Sequence, residues 1–141
     1  MASFHIIKSS ATKQNFISRN SSELMWSPNN SKANVYTDVD VIIKQDDDHL
    51  FQVDLLVDLT TVDAISQRHI FEIHIIITSI VFIDEESCSS ETDRLLMVDV
   101  PQSVFCKIQN IIKQMTENAG YSPLNIEQIN FEKKYRKSVL K

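Results

Sequence analysis

Apolar and polar residues alternate with a period of two through most of the first 83 positions, the pattern of strands that bury one face and leave the other open. The pattern predicts a four-stranded antiparallel sheet. A first, irregular strand runs over residues 1–17, from Phe4 to Ile17, and is followed by a polar stretch, SRNSSELMWSPNNSK over 18–32, whose Ser, Asn and Pro mark a long connection. A second strand from Ala33 to Ile43 sets Val35, Val39, Val41 and Ile43 on one face and Tyr36, Asp38 and Asp40 on the other. After the break QDDDH, Leu50 to Val62 alternates most clearly: Phe51, Val53, Leu55, Val57 and Leu59 against Gln52, Asp54, Asp58 and Thr60. These two strands form a hairpin. Beyond the turn DAISQR, the run HIFEIHIIITSIVFI places Phe71, Ile73, Ile75 and Ile77 opposite Glu72, His74, Ile76 and Thr78. From Ile75 to Ile83 both faces are largely apolar, so the second face needs a cover, which a helix, another subunit or a bound client could supply.

The period then changes. An acidic, Ser-rich loop is expected over 84–98, ending in the apolar run LLMV. Asp99 and Pro101 are start signals for a long helix over 99–119, in which Val104, Phe105, Ile108, Ile111, Ile112 and Met115 form one stripe and Gly120 caps the end. A loop through Pro123 leads to Asn130, an N-cap for a second helix over 130–141 that carries Phe131, Tyr135 and Val139. The order β-β-β-β-α-α makes this an α+β fold, with helices segregated from the sheet.

With 141 residues and an apolar fraction of 43%, the chain can bury one core and is read as a single domain. A single Gly and three Pro leave no glycine-rich loop for phosphate, which excludes P-loop and Rossmann nucleotide binding. The N-terminal residues lack the order of a signal peptide and no apolar run reaches a membrane span, so a cytoplasmic protein is expected, with Cys88 and Cys106 as reduced thiols.

The net charge of −5 hides an asymmetry. Lys133, Lys134, Arg136, Lys137 and Lys141 crowd the last nine residues; without those five, nine basic residues remain of the 14 against 19 acids, a net −10 for the body. Such a body repels phosphates, which argues against nucleic acid as a partner, and the basic tail is read as the solvated face of a helix.

No catalytic or metal site is expected, and no cofactor. His5, His49, His69 and His74 share no ligand spacing; the last two, five apart on a strand, face opposite ways. Asp54 and Asp58 share a face but stand about 13 Å apart, too far for a glycosidase pair. Together with Asp38 and Asp40 they read as a solvated acidic face. Neither cysteine sits beside a His.

Several strings, in order, resemble the SecB family of export chaperones. FHIIKSSATKQNF resembles its opening strand, WSP at Trp26 to Pro28 its W-x-P after the crossover loop, and VPQSVFCKIQNIIKQMTENAGYSPLNIEQINFEKKY, from Val100 to Tyr135, its long helix, turn, link and last helix. The resemblance implies one SecB-like domain over 1–141, paired through first strands into dimers that stack as a dimer of dimers with the long helices between the sheets. Phe4, Ile6, Phe105, Ile108, Ile112 and Met115 are then expected at the oligomer interface. It also implies an apolar groove for an unfolded or aggregation-prone polypeptide. Candidate client-binding residues are Leu24, Met25 and Trp26 in the crossover loop, unless Trp26 plugs the local core, and Ile76, Ile80 and Phe82, unless a partner helix buries them. Lys13 and Ile17 stand where the family carries acids, and the acidic C-terminal extension is replaced by a basic end, so docking to SecA is not expected. This favours a dedicated client such as an antitoxin. The alternatives are a general preprotein export chaperone, or a subunit or inhibitor that binds one folded partner in a toxin-antitoxin or phage-defence system.

Overall fold

A computed structural model of the chain describes residues 4–18, 31–43, 49–83 and 89–139. Four strands, β1 (Phe4–Ser18), β2 (Ser31–Ile43), β3 (Leu50–Asp63) and β4 (His69–Ile83), form one sheet in the order β1-β4-β3-β2. Every pairing is antiparallel. The first two strands therefore lie at opposite edges. Odd positions of β3 from Phe51 to Thr61 and of β4 from Phe71 to Ile83 are buried, whereas even positions are half-buried on a face that the chain's own helices leave open. The irregularity of β1 has a cause: the register slips between Ile6 and Lys8 and again between Ala11 and Lys13, so one extra residue bulges at each step and resets the alternation.

At the β3–β4 turn, the Asp63 carboxylate accepts the backbone N–H groups of Ile65 and Ser66 and the Ser66 hydroxyl, at 3.2, 2.8 and 3.0 Å. These donors, the Ser66 amide first, hold its pKa below the ordinary value of 3.8.

The helical region begins earlier than expected. Residues 89–98 do not form a loop: α1 (Ser89–Arg94) runs into a π-helical turn, Leu95–Asp99, and on into α2 (Val100–Asn118). Val100 N–H donates to Leu95 O, five residues back, so the turn widens just before Pro101, which has no N–H to give. Leu96 and Val98 are buried by this turn, which accounts for the apolar run LLMV. Asp99 caps nothing with its side chain.

The stripe of α2 packs on the sheet. Phe105, Ile108 and Ile112 are fully buried within the single chain, among Leu55, Leu59, Ile73 and Ile75. Within the single chain their side chains are covered by its own sheet. Met115, Phe4 and Ile6 are half-buried and also pack against the chain's own core. Gly120, at φ +86°, ends α2: its N–H reaches Glu117 O at 3.0 Å and Tyr121 N–H reaches Thr116 O at 2.9 Å, the paired bonds of a Schellman cap. Asn130 caps α3 (Phe131–Val139), its side-chain oxygen accepting Lys133 N–H at 2.9 Å. Phe131 packs edge-on against Phe105 with centroids 5.8 Å apart, fixing α3 to α2 beside β2.

Candidate functional site

Among the described residues β2 pairs with β3 alone, so its other side is an open edge. Natural edge strands are commonly short or defended by prolines and charges, because exposed backbone groups invite another strand. This one is 13 residues long, contains no proline, and exposes Val35, Tyr36 and Ile42 by 39%, 60% and 46%. In an antiparallel strand alternate residues turn both backbone groups outward. The outward set is identified by side chains that have found it: Val39 N–H is accepted by Asp38 Oδ1 at 2.9 Å, and Thr37 O accepts Lys134 Nζ at 2.9 Å. Odd-numbered residues therefore face outward.

Two cavities run along this edge. The smaller, about 160 Å³, lies between β2, the π-helical turn and α3, and is lined by Thr37, Asp38, Val39, Met97, Phe131, Lys134 and Tyr135. The larger, about 480 Å³, lies between Ala33 and Val35 on the strand and the link from Leu124 to Ile129. The wall of that second cavity is pinned from α2. Gln109 Nε2 donates to Ile126 O at 2.9 Å, and the Thr116 hydroxyl accepts Leu124 N–H at 3.0 Å while donating to the α2 carbonyls behind it. What results is a row of outward backbone groups beside two cavities of mixed apolar and polar lining. Such a surface can hold an extended chain through main-chain hydrogen bonds while pockets take alternate side chains, and it makes no bond-breaking chemistry necessary.

The sequence-predicted site residues divide. Leu24, Met25 and Trp26 lie outside the described residues. Ile76, Ile80 and Phe82 are half-buried on the open face, opposite Leu56, Gln52 and Leu50 of β3, and thus on the far side of the sheet from both cavities. The same face carries polar ladders: Asp58 Oδ1 lies 2.7 Å from His74 Nδ1, Glu72 Oε2 lies 3.9 Å from His74 Nε2, and Thr12 and Thr78 share a hydrogen bond of 2.9 Å. Lys13 and Ile17 pair with Ile76 and Glu72 there. No cluster of three metal-capable side chains occurs among the described residues.

Sequence reasoning missed Lys134 and the cavity walls. A signal existed for the lysine: Phe131, Lys134 and Tyr135 stand at i, i+3 and i+4, on one face of α3, so a residue assigned to a solvated tail shares the face of the helix's buried anchor.

The family model for SecB, preprotein translocase subunit SecB, matches residues 4–141. The protein-export protein SecB of Jannaschia sp. (strain CCS1) is 36% identical over 59 residues, covering 42% of this chain and 34% of that protein. Its counterpart in Dinoroseobacter shibae is 26% identical over 89 residues, covering 63% and 51%. The matches thus span about a third to a half of these curated relatives. Among solved structures, the Mycobacterium tuberculosis Rv1957 SecB-like chaperone, in complex with a ChAD peptide from the Rv1956 HigA1 antitoxin, superposes with a TM-score of 0.75 at 10% identity, covering 90% of this chain and 91% of that one. A protein of unknown function from Streptococcus agalactiae does so with a TM-score of 0.54 at 13% identity, covering 90% and 98%. At those identities the likeness is one of fold, and it agrees with the family model that covers nearly the whole chain: this protein belongs to the SecB family.

Proposed function

We propose that this protein is a SecB-like chaperone that holds a non-native polypeptide along the open edge of β2, and that its client is a dedicated one such as an antitoxin. The observation that carries the reading is the long, proline-free edge flanked by two cavities in a chain of the SecB family. Support for an antitoxin-like client comes from Rv1957, the SecB-like chaperone whose structure holds a peptide of the HigA1 antitoxin. Leu24, Met25 and Trp26, in the connection that leads into β2, would add adaptable apolar contacts to the client.

Ile76, Ile80 and Phe82 would be covered by a second subunit or by client that wraps past the edge, and β1, the opposite open edge, would pair two chains through the backbone beside Phe4 and Ile6. No helix among the described residues is long and apolar enough to cross a membrane. Lys13 and Ile17 on the open face disfavour delivery to SecA, and with it a general export role.

The test has two arms. The protein should suppress aggregation of a chemically unfolded model client near one-to-one stoichiometry, and co-expression with its genomic neighbours should yield a discrete complex with one aggregation-prone protein. Absence of both effects would overturn the reading. A stable complex with a folded partner, together with indifference to unfolded client, would favour the subunit or inhibitor role, for which the half-apolar sheet face left open by the described helices is the supporting feature.

A further inference from the structure

The two cavities along β2 differ in size and stand at a fixed spacing. The smaller opens beside Thr37 and Val39 and the larger beside Ala33 and Val35, four positions away, which is about 13 Å at the rise of a strand. At about 160 Å³ the smaller matches a cavity that holds a single benzene ring, and the larger, about 480 Å³, is three times that. Each has an apolar floor and a polar rim. In the larger, Leu124 is buried and Ile126 and Ile129 are half-buried, whereas Asn125, Glu127 and Gln128 are exposed. In the smaller, Phe131 is buried and Val39 and Met97 are half-buried, whereas Asp38 and Lys134 are exposed. The walls are held from behind: Gln109 and Thr116 tie the link to α2, and Phe131 packs edge-on against Phe105. Cavities whose walls are fixed before binding discriminate by size and by the placing of their polar groups.

We infer that the edge reads a two-anchor motif in its client: an aliphatic residue the size of Val for the smaller cavity and, four positions later, a Trp or Tyr for the larger. This rests on the reading of β2 as the client-binding edge. The spacing follows from strand geometry. Side chains on one face recur every second residue, and residues directly opposite each other share a face, so client residues opposite Val39 and Val35 both point to the helix side. The order follows from direction. Every pairing in the sheet is antiparallel, so a client that continues it runs from the Val39 end to the Val35 end and presents the smaller anchor first. The aromatic class follows from the rim: a ring covers Leu124 and Ile126 while its indole N–H or phenol O–H meets Asn125, Glu127 or Gln128. Midway between the anchors the edge is tight, since Thr37 is only 5% exposed and its carbonyl already accepts Lys134. The client residue at that point is therefore small.

The experiment uses the full chain and fluorescent peptides of one Ser- and Thr-rich sequence that carry a single Val and a single Trp, with binding followed by anisotropy. Val with Trp four positions later should bind about tenfold more tightly than the same pair three apart, which turns one anchor to the open face, and than the same pair in reverse order. Replacing that Trp by Ala should cost at least as much. Val35→Trp, at a position 39% exposed, fills the larger cavity from the strand and should erase the advantage of Trp over Ala in the peptide. Should that variant fail to fold, the peptide series on the unaltered protein decides alone. Binding that ignores spacing and order, a reversed order that binds more tightly, or a Trp advantage that survives in folded Val35→Trp overturns the inference and leaves the binding edge standing. Absence of peptide binding also overturns it; if unfolded client then leaves the β2 amides unprotected from exchange, the edge reading falls as well.

Discussion

Single residues fix the ends of the elements here, and they do so by satisfying backbone groups. Asp63 is the clearest case, since its carboxylate collects three donors in the β3–β4 turn and its pKa is lowered as a result. A lowered folded-state pKa contributes stability that is fully present above the ordinary value of 3.8 and is lost as pH falls through the lower folded one. The Asp63 carboxyl should therefore titrate by NMR below the ordinary value of 3.8, and Asp63→Asn should flatten the acid limb of the stability profile while changing little below the lowered folded value, where the native carboxyl is itself protonated. A carboxyl that titrates at its ordinary value would show that the turn bonds are not formed in solution. At this scale the sequence was largely readable. Gly120 and Asn130 act as the caps their residue types announce, because the demand for a left-handed residue or a side-chain acceptor is local. Lys134 was not readable as a partner of Thr37, because that contact joins positions 97 residues apart and depends on where α3 docks.

Whole elements were legible where one period persisted and illegible where two signals competed. The strands β2, β3 and β4 follow their alternation to within two residues of the expected bounds, since a slip of one would turn every buried side chain outward. At residues 89–98, the polar composition and Asp99-Pro101 suggested a loop and a helix start. The chain instead keeps helical geometry by widening one turn ahead of the proline, a solution with no distinctive sequence signature. The stripe on α2 was identified correctly as apolar, but periodicity says only that a face is covered and not by what. The cover is the chain's own sheet. Ile108→Ala should accordingly lower stability by about 2–5 kcal/mol, the cost of a buried large-to-small change. The denaturant-measured loss should be the same at low and high protein concentration. A loss that grew on dilution would assign Ile108 to an interface between copies, since subunit contacts make stability depend on concentration.

For the molecule as a whole, topology decides function. Placing β1 and β2 at opposite edges leaves each of these long strands paired on one side only among the described residues, and placing the described helices on one side leaves an open face with half-buried Leu56, Ile76 and Ile80. The alternation pointed to the open face. It could not locate the two cavities along β2, because their walls come from α3, the π-helical turn and the link 124–129, elements remote from β2 in sequence. The central claim is that client lies along the β2 edge, and hydrogen exchange tests it most directly. With an unfolded client bound, the outward amides of Val35 and Val41 should exchange more slowly, together with amides of the link 124–129. Client binding that leaves these amides unchanged and protects the region of Leu56 and Ile76 instead would contradict the account.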